Sequence, residues 1–273
     1  MANAFNGKHD SARKGDRYAI LLSGGNSCRR HLNDLEYCYR MLKDHYAFPD
    51  AAIRVLFFTG DPPQLDDDSA PHNYPDESGN DPYRLPISGK GKRSAFQNAC
   101  NELNEDLQQQ DLVFILLTGH GYVQGENAYL QEPSNGRYYA AELCDDLATL
   151  NPHASLLIVM QQCFSVGFID PIVEAKRDGR IKSQRLSIAC ASASFSGYDD
   201  DGLFDCFASG WIAAHLNQDP WGHTLGAGAV AHDNSGYIEA FEAYQYGVKC
   251  RDKDLDEPDS GNEGLDAKDI RLA

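Results

Sequence analysis

The stretch LLIVMQQCFSVGF (156–168) joins an apolar run to a polar exit. Its apolar residues give way to two glutamines, a cysteine and a turn of small and aromatic residues. A structural cysteine packs as a small hydrophobic group inside such a run, whereas Cys163 stands where the run ends. A second run, LVFILL (112–117), ends in the same way in TGHGY (118–122). Each run therefore predicts a buried strand that delivers one reactive side chain at its carboxyl end.

Strand and helix patterns alternate on both sides of these two runs. Apolar segments predict strands at 17–23, 52–58, 111–118, 154–161 and 185–192, and helical spacing predicts helices at 31–46, 94–110, 140–150 and 204–216. This order is typical of an α/β fold with a mostly parallel sheet, of about six strands, covered by helices on both faces. Working residues in such sheets gather beyond the carboxyl ends of the strands. We therefore expect His120 and Cys163 to lie close together.

No repeat or linker divides the 273 residues, so the sequence predicts one domain. We expect it to span residues 17–250, after an N-terminal extension at 1–16. Residues 60–93 are rich in Pro, Asp, Gly and Ser, which predicts a long surface loop. Residues 251–273 are acidic and predict an extended or flexible tail.

Composition excludes several classes of partner. Asp and Glu outnumber Lys and Arg by 41 to 24, so the net charge is −17, and general binding to nucleic acid or to an anionic membrane is not expected. No apolar run approaches the roughly 20 residues that cross a bilayer, and the N-terminus carries no secretory signal pattern. The eight cysteines form no CxxC pair. We therefore expect free thiols in a reducing, cytoplasmic location.

His120 and Cys163 have the chemistry of a catalytic dyad. A cysteine attacks as the thiolate and needs a base, and His120 can take its proton and later protonate a leaving amine. The backbone N–H groups of Gly121 and Cys163 are candidates for holding an oxyanion. No metal or cofactor is predicted, because the histidines show no HExxH or other ligand spacing. Residues 233–244 have some offsets of a calcium loop, but Ala231 occupies the first ligand position, so we favour a helix there.

Three motifs together resemble the legumain and GPI-transamidase branch of the caspase-like cysteine peptidases. One strand ends in T-G-H-G (118–121), and a later strand ends in a cysteine followed two residues on by a serine (163–165). The segment CRRHLNDLEYCYRML (28–42) is similar to the N-Y-R-H-x-x-D segment of legumains, with Arg30, His31, Asp34 and Tyr39 in register. The resemblance covers residues 17–216. It implies a caspase-like three-layer α/β/α fold and a Cys–His dyad that cleaves peptide bonds without a cofactor.

The resemblance also implies roles for residues around the dyad. Arg30 matches the arginine of the legumain specificity pocket, and Asp205 falls where legumains carry a pocket acid. Gln161 stands where legumains have Glu and caspases have Gln. Ser194 and Ser196 would lie along the strand edge that pairs with the substrate backbone. Legumains orient the histidine with an Asn where this chain has Cys28, and Asn26 is a second candidate for that role.

These residues predict a cysteine endopeptidase that cleaves a peptide or protein substrate after Asn or Asp. Three alternatives stay open: a transamidase of the same fold, a protease specific for basic residues, and a non-catalytic caspase-like scaffold. The sequence leaves open whether a partner or self-cleavage activates the protein.

Overall fold

The structure is a computed structural model, and it describes residues 15–60, 73–76, 81–230 and 237–273. Most of the predicted N-terminal extension lies outside these ranges. So do two parts of the predicted surface loop, 61–72 and 77–80, and the first residues of the segment compared with a calcium loop.

The described chain contains twelve strands. They are β1 Arg17–Ser23, β2 Ile53–Phe57, β3 Asn73–Tyr74, β4 Asp81–Pro82, β5 Ile87–Gly89, β6 Leu112–Thr118, β7 Gly121–Gln124, β8 Asn127–Glu132, β9 Gly136–Tyr139, β10 His153–Met160, β11 Ser183–Cys190 and β12 Asp259–Glu263. Seven strands form the central sheet in the order β12-β11-β10-β6-β1-β2-β5. Every pairing in it is parallel except that of β11 with β12. Strands β7, β8 and β9 form a separate antiparallel sheet directly after His120.

Helices cover both faces of the central sheet. They are α1 Arg29–Arg40, α2 Arg93–Asp106, α3 Ala140–Leu147, α4 Ile169–Arg177, α5 Cys206–Leu216 and α6 Ala240–Cys250. Successive strand residues point to opposite faces, so Leu21 and Phe114 pack with α1, α5 and α6. Ile20 and Ile115 pack with α2, α3 and α4 on the other face. The predicted α/β class, with a mostly parallel sheet flanked by helices, is confirmed.

The central sheet departs from the prediction at both edges. It has seven strands rather than about six, because β5 lies within the predicted loop 60–93 and β12 within the predicted tail 251–273. The tail is not separate from the fold, since Ile270 and Leu272 are fully buried in the core. β12 has the sequence DSGNE, which lacks an apolar alternation. Its place depends on backbone pairing with β11, which a residue pattern does not report.

Strand register aligns the ends that carry the predicted site. Ser23 at the end of β1 pairs with Thr118 at the end of β6, and Leu117 pairs with Met160 at the end of β10. The loops after these three parallel strands therefore leave the same edge of the sheet. All eight cysteines are free thiols. Across the described ranges, no helix combines the length and the apolar character needed to cross a membrane.

Candidate active site

His120 follows β6 after one glycine, Gly119, whose φ of +114° suits a residue without a side chain. The imidazole Nε2 lies 3.2 Å from the backbone oxygen of Asn26. A carbonyl oxygen can only accept, so this contact places the proton of a neutral imidazole on Nε2. The other ring nitrogen, Nδ1, then carries the lone pair and can act as a base.

Asn26, one of the two residues predicted to orient His120, contacts its ring. The contact is made by the main-chain carbonyl of Asn26. Asn26 adopts a left-handed conformation, with φ of +53°, which asparagine tolerates better than most residues. Cys28, the other residue predicted to orient His120, instead precedes α1. Its Sγ lies 3.6 Å from Nδ1 of His31, and its backbone N–H donates to the same nitrogen at 3.2 Å.

Cys163 lies three residues beyond β10 and is partly exposed. The backbone N–H of Ser196 donates to its Sγ at 3.3 Å, and the Ser196 hydroxyl lies 3.6 Å from the same sulfur. An N–H group aimed at sulfur stabilises negative charge there. Phe164, the next residue, has φ of +58° and donates its N–H to the carbonyl oxygen of Ser194 at 2.6 Å. The loop after β11 therefore holds the loop of Cys163.

These contacts correct the expectation for the two serines. Both were predicted to lie on a strand edge open to a substrate. β11 ends earlier, at Cys190, and the Ser194 carbonyl already accepts from Phe164. Ser196 contacts the thiol itself. Both serines lie beyond the last apolar residue of the strand. The residue pattern there does not show where the backbone pairing of β11 ends.

Gly121 brings the two predicted catalytic loops into contact. It opens β7, is buried, and its Cα packs against the backbone of Cys163. A Cβ at this position would overlap the carbonyl oxygen of Cys163 and would lie 2.8 Å from Cγ of Gln162. The predicted sources of the oxyanion N–H groups, Gly121 and Cys163, are thus neighbours.

The two predicted pocket residues form an ion pair across a long stretch of chain. Arg30 Nε donates to Asp205 Oδ1 at 3.0 Å, and the guanidinium lies 5.0 Å from the ring centroid of Tyr198. The Asp205 side chain is 5% exposed and that of Arg30 is 23% exposed. The carboxylate is therefore largely withdrawn from water, and the guanidinium keeps an accessible part.

Gln161 has a structural duty that the sequence did not reveal. Its Oε1 accepts the backbone N–H of Ala208 at 2.7 Å and so caps the first turn of α5. Within the described part of the chain its Nε2 is buried and has no hydrogen-bond partner. That amide nitrogen is therefore the group of the side chain that still lacks a partner.

Three residues of the site had no role assigned from the sequence: His31, Asp34 and Thr118. The rings of His31 and His120 meet edge to face, with centroids 5.0 Å apart. Burial, followed by the charge of Arg30, lowers the pKa of His31 well below its usual value, so this ring is neutral. Asp34 lies one helical turn beyond Arg30 in α1. This i,i+4 spacing places the two side chains on the same face of the helix, so it could have indicated Asp34 from the sequence.

The residues predicted to form the dyad and the pocket share one edge of the central sheet. A partly exposed thiol, an oriented imidazole and an Arg–Asp pair all lie at the carboxyl edge of the sheet. Among the described residues, no group of three or more His, Cys, Asp or Glu side chains could hold a metal ion.

Comparisons with known proteins concern the fold and say nothing about the chemistry of the site. No family model matches the sequence, and no curated protein matches it. Among solved structures, the chain is similar to the crystal structure of protein GSU0716 from Geobacter sulfurreducens, with a TM-score of 0.55 and 11% sequence identity. The match covers 94% of this chain and 97% of that one. At this identity the likeness concerns the fold alone.

Proposed function

We propose that this protein is a cysteine endopeptidase with a caspase-like fold, which uses Cys163 as nucleophile and His120 as general base. The carrying observation is the contact of His120 Nε2 with the Asn26 carbonyl, which leaves Nδ1 as the basic nitrogen. The packing of Gly121 on the Cys163 backbone supports the same assignment, because it joins the two loops. A three-layer arrangement with both residues at the carboxyl edge of the sheet supports the caspase-like fold.

The proposed reaction forms and then hydrolyses a thioester. Nδ1 of His120 takes the proton of Cys163, and the sulfur attacks the carbonyl carbon of the scissile peptide bond. Backbone N–H groups of Gly121 and Cys163 stabilise the oxyanion. The imidazolium then protonates the leaving amine, and the C–N bond breaks. Water, deprotonated by His120, attacks the thioester and releases the acid and the thiol.

The Arg30–Asp205 pair supports a preference for asparagine before the scissile bond. The amide of asparagine offers a donor and an acceptor, and it can satisfy both members of the pair. Aspartate would suit Arg30 and meet repulsion from Asp205. A site built to hydrogen-bond a side chain rejects analogues that leave its polar atoms unpaired.

Iodoacetamide is expected to label Cys163 faster than any other thiol at neutral pH. Burial raises the pKa of the other seven: Cys28, Cys38, Cys100, Cys144, Cys190, Cys206 and Cys250. Cys163 is partly exposed, and His120 can take its proton. Mass-spectrometric mapping after brief labelling checks the result. Labelling of Cys28 or Cys250 at the same rate would count against the dyad.

Replacing Asp205 by asparagine is expected to weaken cleavage after Asn or Arg and to favour Asp in relative terms. The change removes the ion-pair partner of Arg30 and frees the guanidinium for a substrate carboxylate. We expect the shift in preference to be about 1–3 kcal/mol, the cost of leaving a buried polar group unpaired. Values of kcat/KM for three matched peptides with Asn, Asp or Arg before the scissile bond measure it. An unchanged ranking would remove Asp205 from the pocket.

A cleavage-site profile with a peptide library tests the proposed function directly. The library is incubated with the protein, with and without an added primary amine, and the products are identified by mass spectrometry. Free carboxyl termini after Asn or Asp are expected. Products carrying the amine would indicate a transamidase instead. The absence of any product that depends on Cys163 would refute both activities.

The eight free thiols also support our proposal of a reducing, cytoplasmic location.

A further inference from the structure

A hydroxyl between two carboxyl groups lies beside the Arg30–Asp205 pair. Oγ1 of Thr118 is 3.4 Å from Oδ2 of Asp34 and 3.3 Å from Oδ2 of Asp205. The other oxygen of Asp34, Oδ1, accepts the backbone N–H of Asp205 at 3.2 Å. Asp34 and Thr118 are fully buried. These residues reach the site from α1, from the end of β6 and from the start of α5.

The two contacts of the Thr118 hydroxyl need one proton more than the hydroxyl itself supplies. A threonine hydroxyl carries one hydrogen and can donate to one carboxylate only. Both contacts of Oγ1 are hydrogen bonds only if one of the two carboxyl groups brings a proton of its own. Two ionised carboxylates in this buried group would also repel each other, and Arg30 is the one cation that forms an ion pair with either of them among the described residues.

The proton belongs on Asp34. Asp205 is the carboxyl that Arg30 contacts, with Nε 3.0 Å from Oδ1. That ion pair requires Asp205 to be ionised. Asp34 has no such contact, and its Oδ1 is already an acceptor for the Asp205 N–H. A proton on Oδ2 of Asp34 completes a chain in which Asp34 donates to Thr118 and Thr118 donates to Asp205.

We propose that Asp34 is a protonated positioning residue, which acts through Thr118 to hold Asp205 against Arg30 and so sets the residue preference of the proposed peptidase. This inference rests on the proposed function for its consequence in catalysis. The protonation of Asp34 itself does not depend on any activity of the protein.

The surroundings of Asp34 agree with this assignment. Burial, and then the charge of Asp205, raises the pKa of Asp34 well above its usual value. The nearby His31 is neutral, because burial lowers its pKa, and so supplies no positive charge. The titratable and charged groups that interact with Asp34 come from α1, β3 and the start of α5: Arg30, Cys38, Tyr74 and Asp205. Nε2 of His31 lies 4.0 Å from Oδ2 of Asp205. With Asp34 protonated, the charges of Arg30 and Asp205 balance.

Loss of this proton would change the preference of the pocket. The raised pKa means that the proton is present below that pKa and is lost as the pH rises through it. The pocket then gains one negative charge, which favours Arg over Asn before the scissile bond. Asn does not titrate, and Arg stays charged, so the ratio of their kcat/KM values reports on the protein. We expect the Asn-to-Arg ratio to fall about tenfold or more towards alkaline pH, the effect of one added charge at an effective dielectric constant of ~20.

Direct observation of the carboxyl group comes first. Carbon-13 NMR of protein labelled in the Asp carboxyl carbons, in the C163A variant, follows each Asp from acidic to alkaline pH, and comparison with D34N identifies the Asp34 signal. We expect that signal to be protonated at neutral pH. An ionised Asp34 at neutral pH overturns the inference, whether or not the protein cleaves peptides.

Kinetics of matched variants then test the consequence. D34N places an amide where the protonated acid stands, so it donates to Thr118 at every pH and should give a ratio that no longer depends on pH. T118V removes the link and should lower the ratio already at neutral pH, whereas T118S should behave as the parent.

D111N is a matched control, because Asp111 is a buried aspartate at the opposite end of β6, and it should keep the pH dependence of the parent. Equal pH profiles for D34N and the parent overturn the role in specificity. Absence of cleavage by the parent protein would instead refute the proposed function and leave the NMR result standing.

Discussion

Replacing Cys163 by alanine is expected to abolish peptide cleavage and to leave the fold intact. The sulfur is the proposed nucleophile, and the backbone of Cys163 packs against Gly121, the residue after His120. Loss of a catalytic nucleophile lowers kcat by ~10⁴-fold or more. The side chain is partly exposed and contacts only Ser196 through its sulfur among the described hydrogen bonds. Its removal should therefore cost little stability.

His120→Ala tests the same mechanism by removing the proposed general base. General acid–base catalysis contributes about 10²–10⁴-fold, so this variant should fall by that amount and should also label more slowly at Cys163. Cys250→Ala is the matched control, since Cys250 is another partly exposed thiol, in α6, and its loss should leave cleavage unchanged. Peptide turnover and thermal unfolding are measured on all three. Full activity of the Cys163 variant would exclude the proposed mechanism.

Adding one methyl group at Gly121 is expected to lower kcat/KM by about 10²-fold. The Cβ of Gly121→Ala would overlap the carbonyl oxygen of Cys163, which is backbone and cannot rotate away. The loop of Cys163 or the start of β7 must then move, and with it the distance between Cys163 and His120. A displacement of about 1 Å in a catalytic group can cost ~10²-fold in rate. Kinetics with the best peptide from the library measure the loss.

Gly226→Ala is the control for this substitution. A Cβ at Gly226 would meet no other atom within 4 Å, and its backbone is not in the left-handed region. This variant should keep the activity and the stability of the parent. Unchanged kinetics in Gly121→Ala would mean that the two loops do not need their close contact for catalysis.

Much of the central sheet was predictable because its middle strands are apolar throughout. β1 begins and ends at the predicted residues, β6 begins one residue later than predicted, and β10 begins and ends one residue earlier than predicted. A strand buried on both faces needs such a run, so local composition reports its position. The same runs located His120 and Cys163, since these residues lie two and three positions beyond a strand end.

The edges of the fold and one helix were not predictable in this way. β5 has three residues and β12 has the polar sequence DSGNE, so neither has an apolar pattern long enough to recognise. The nine residues of α4 include Pro171, which is tolerated in the first helical turn but reads as a turn signal in sequence. Pairing with a neighbouring strand, or packing on the sheet, decides these elements.

The amino-acid sequence was enough to establish the α/β order and to bring two reactive residues to one sheet edge, because these properties follow from short apolar runs and the residues that end them. The working geometry depends on contacts between distant parts of the chain. Asn26 meets His120 across 94 residues, and Arg30 meets Asp205 across 175. Asp34 reaches Thr118 across 84 residues. Backbone carbonyls and buried carboxyl groups acquire such partners only when the sheet aligns its loops, so their hydrogen bonds and their protonation are properties of the folded protein.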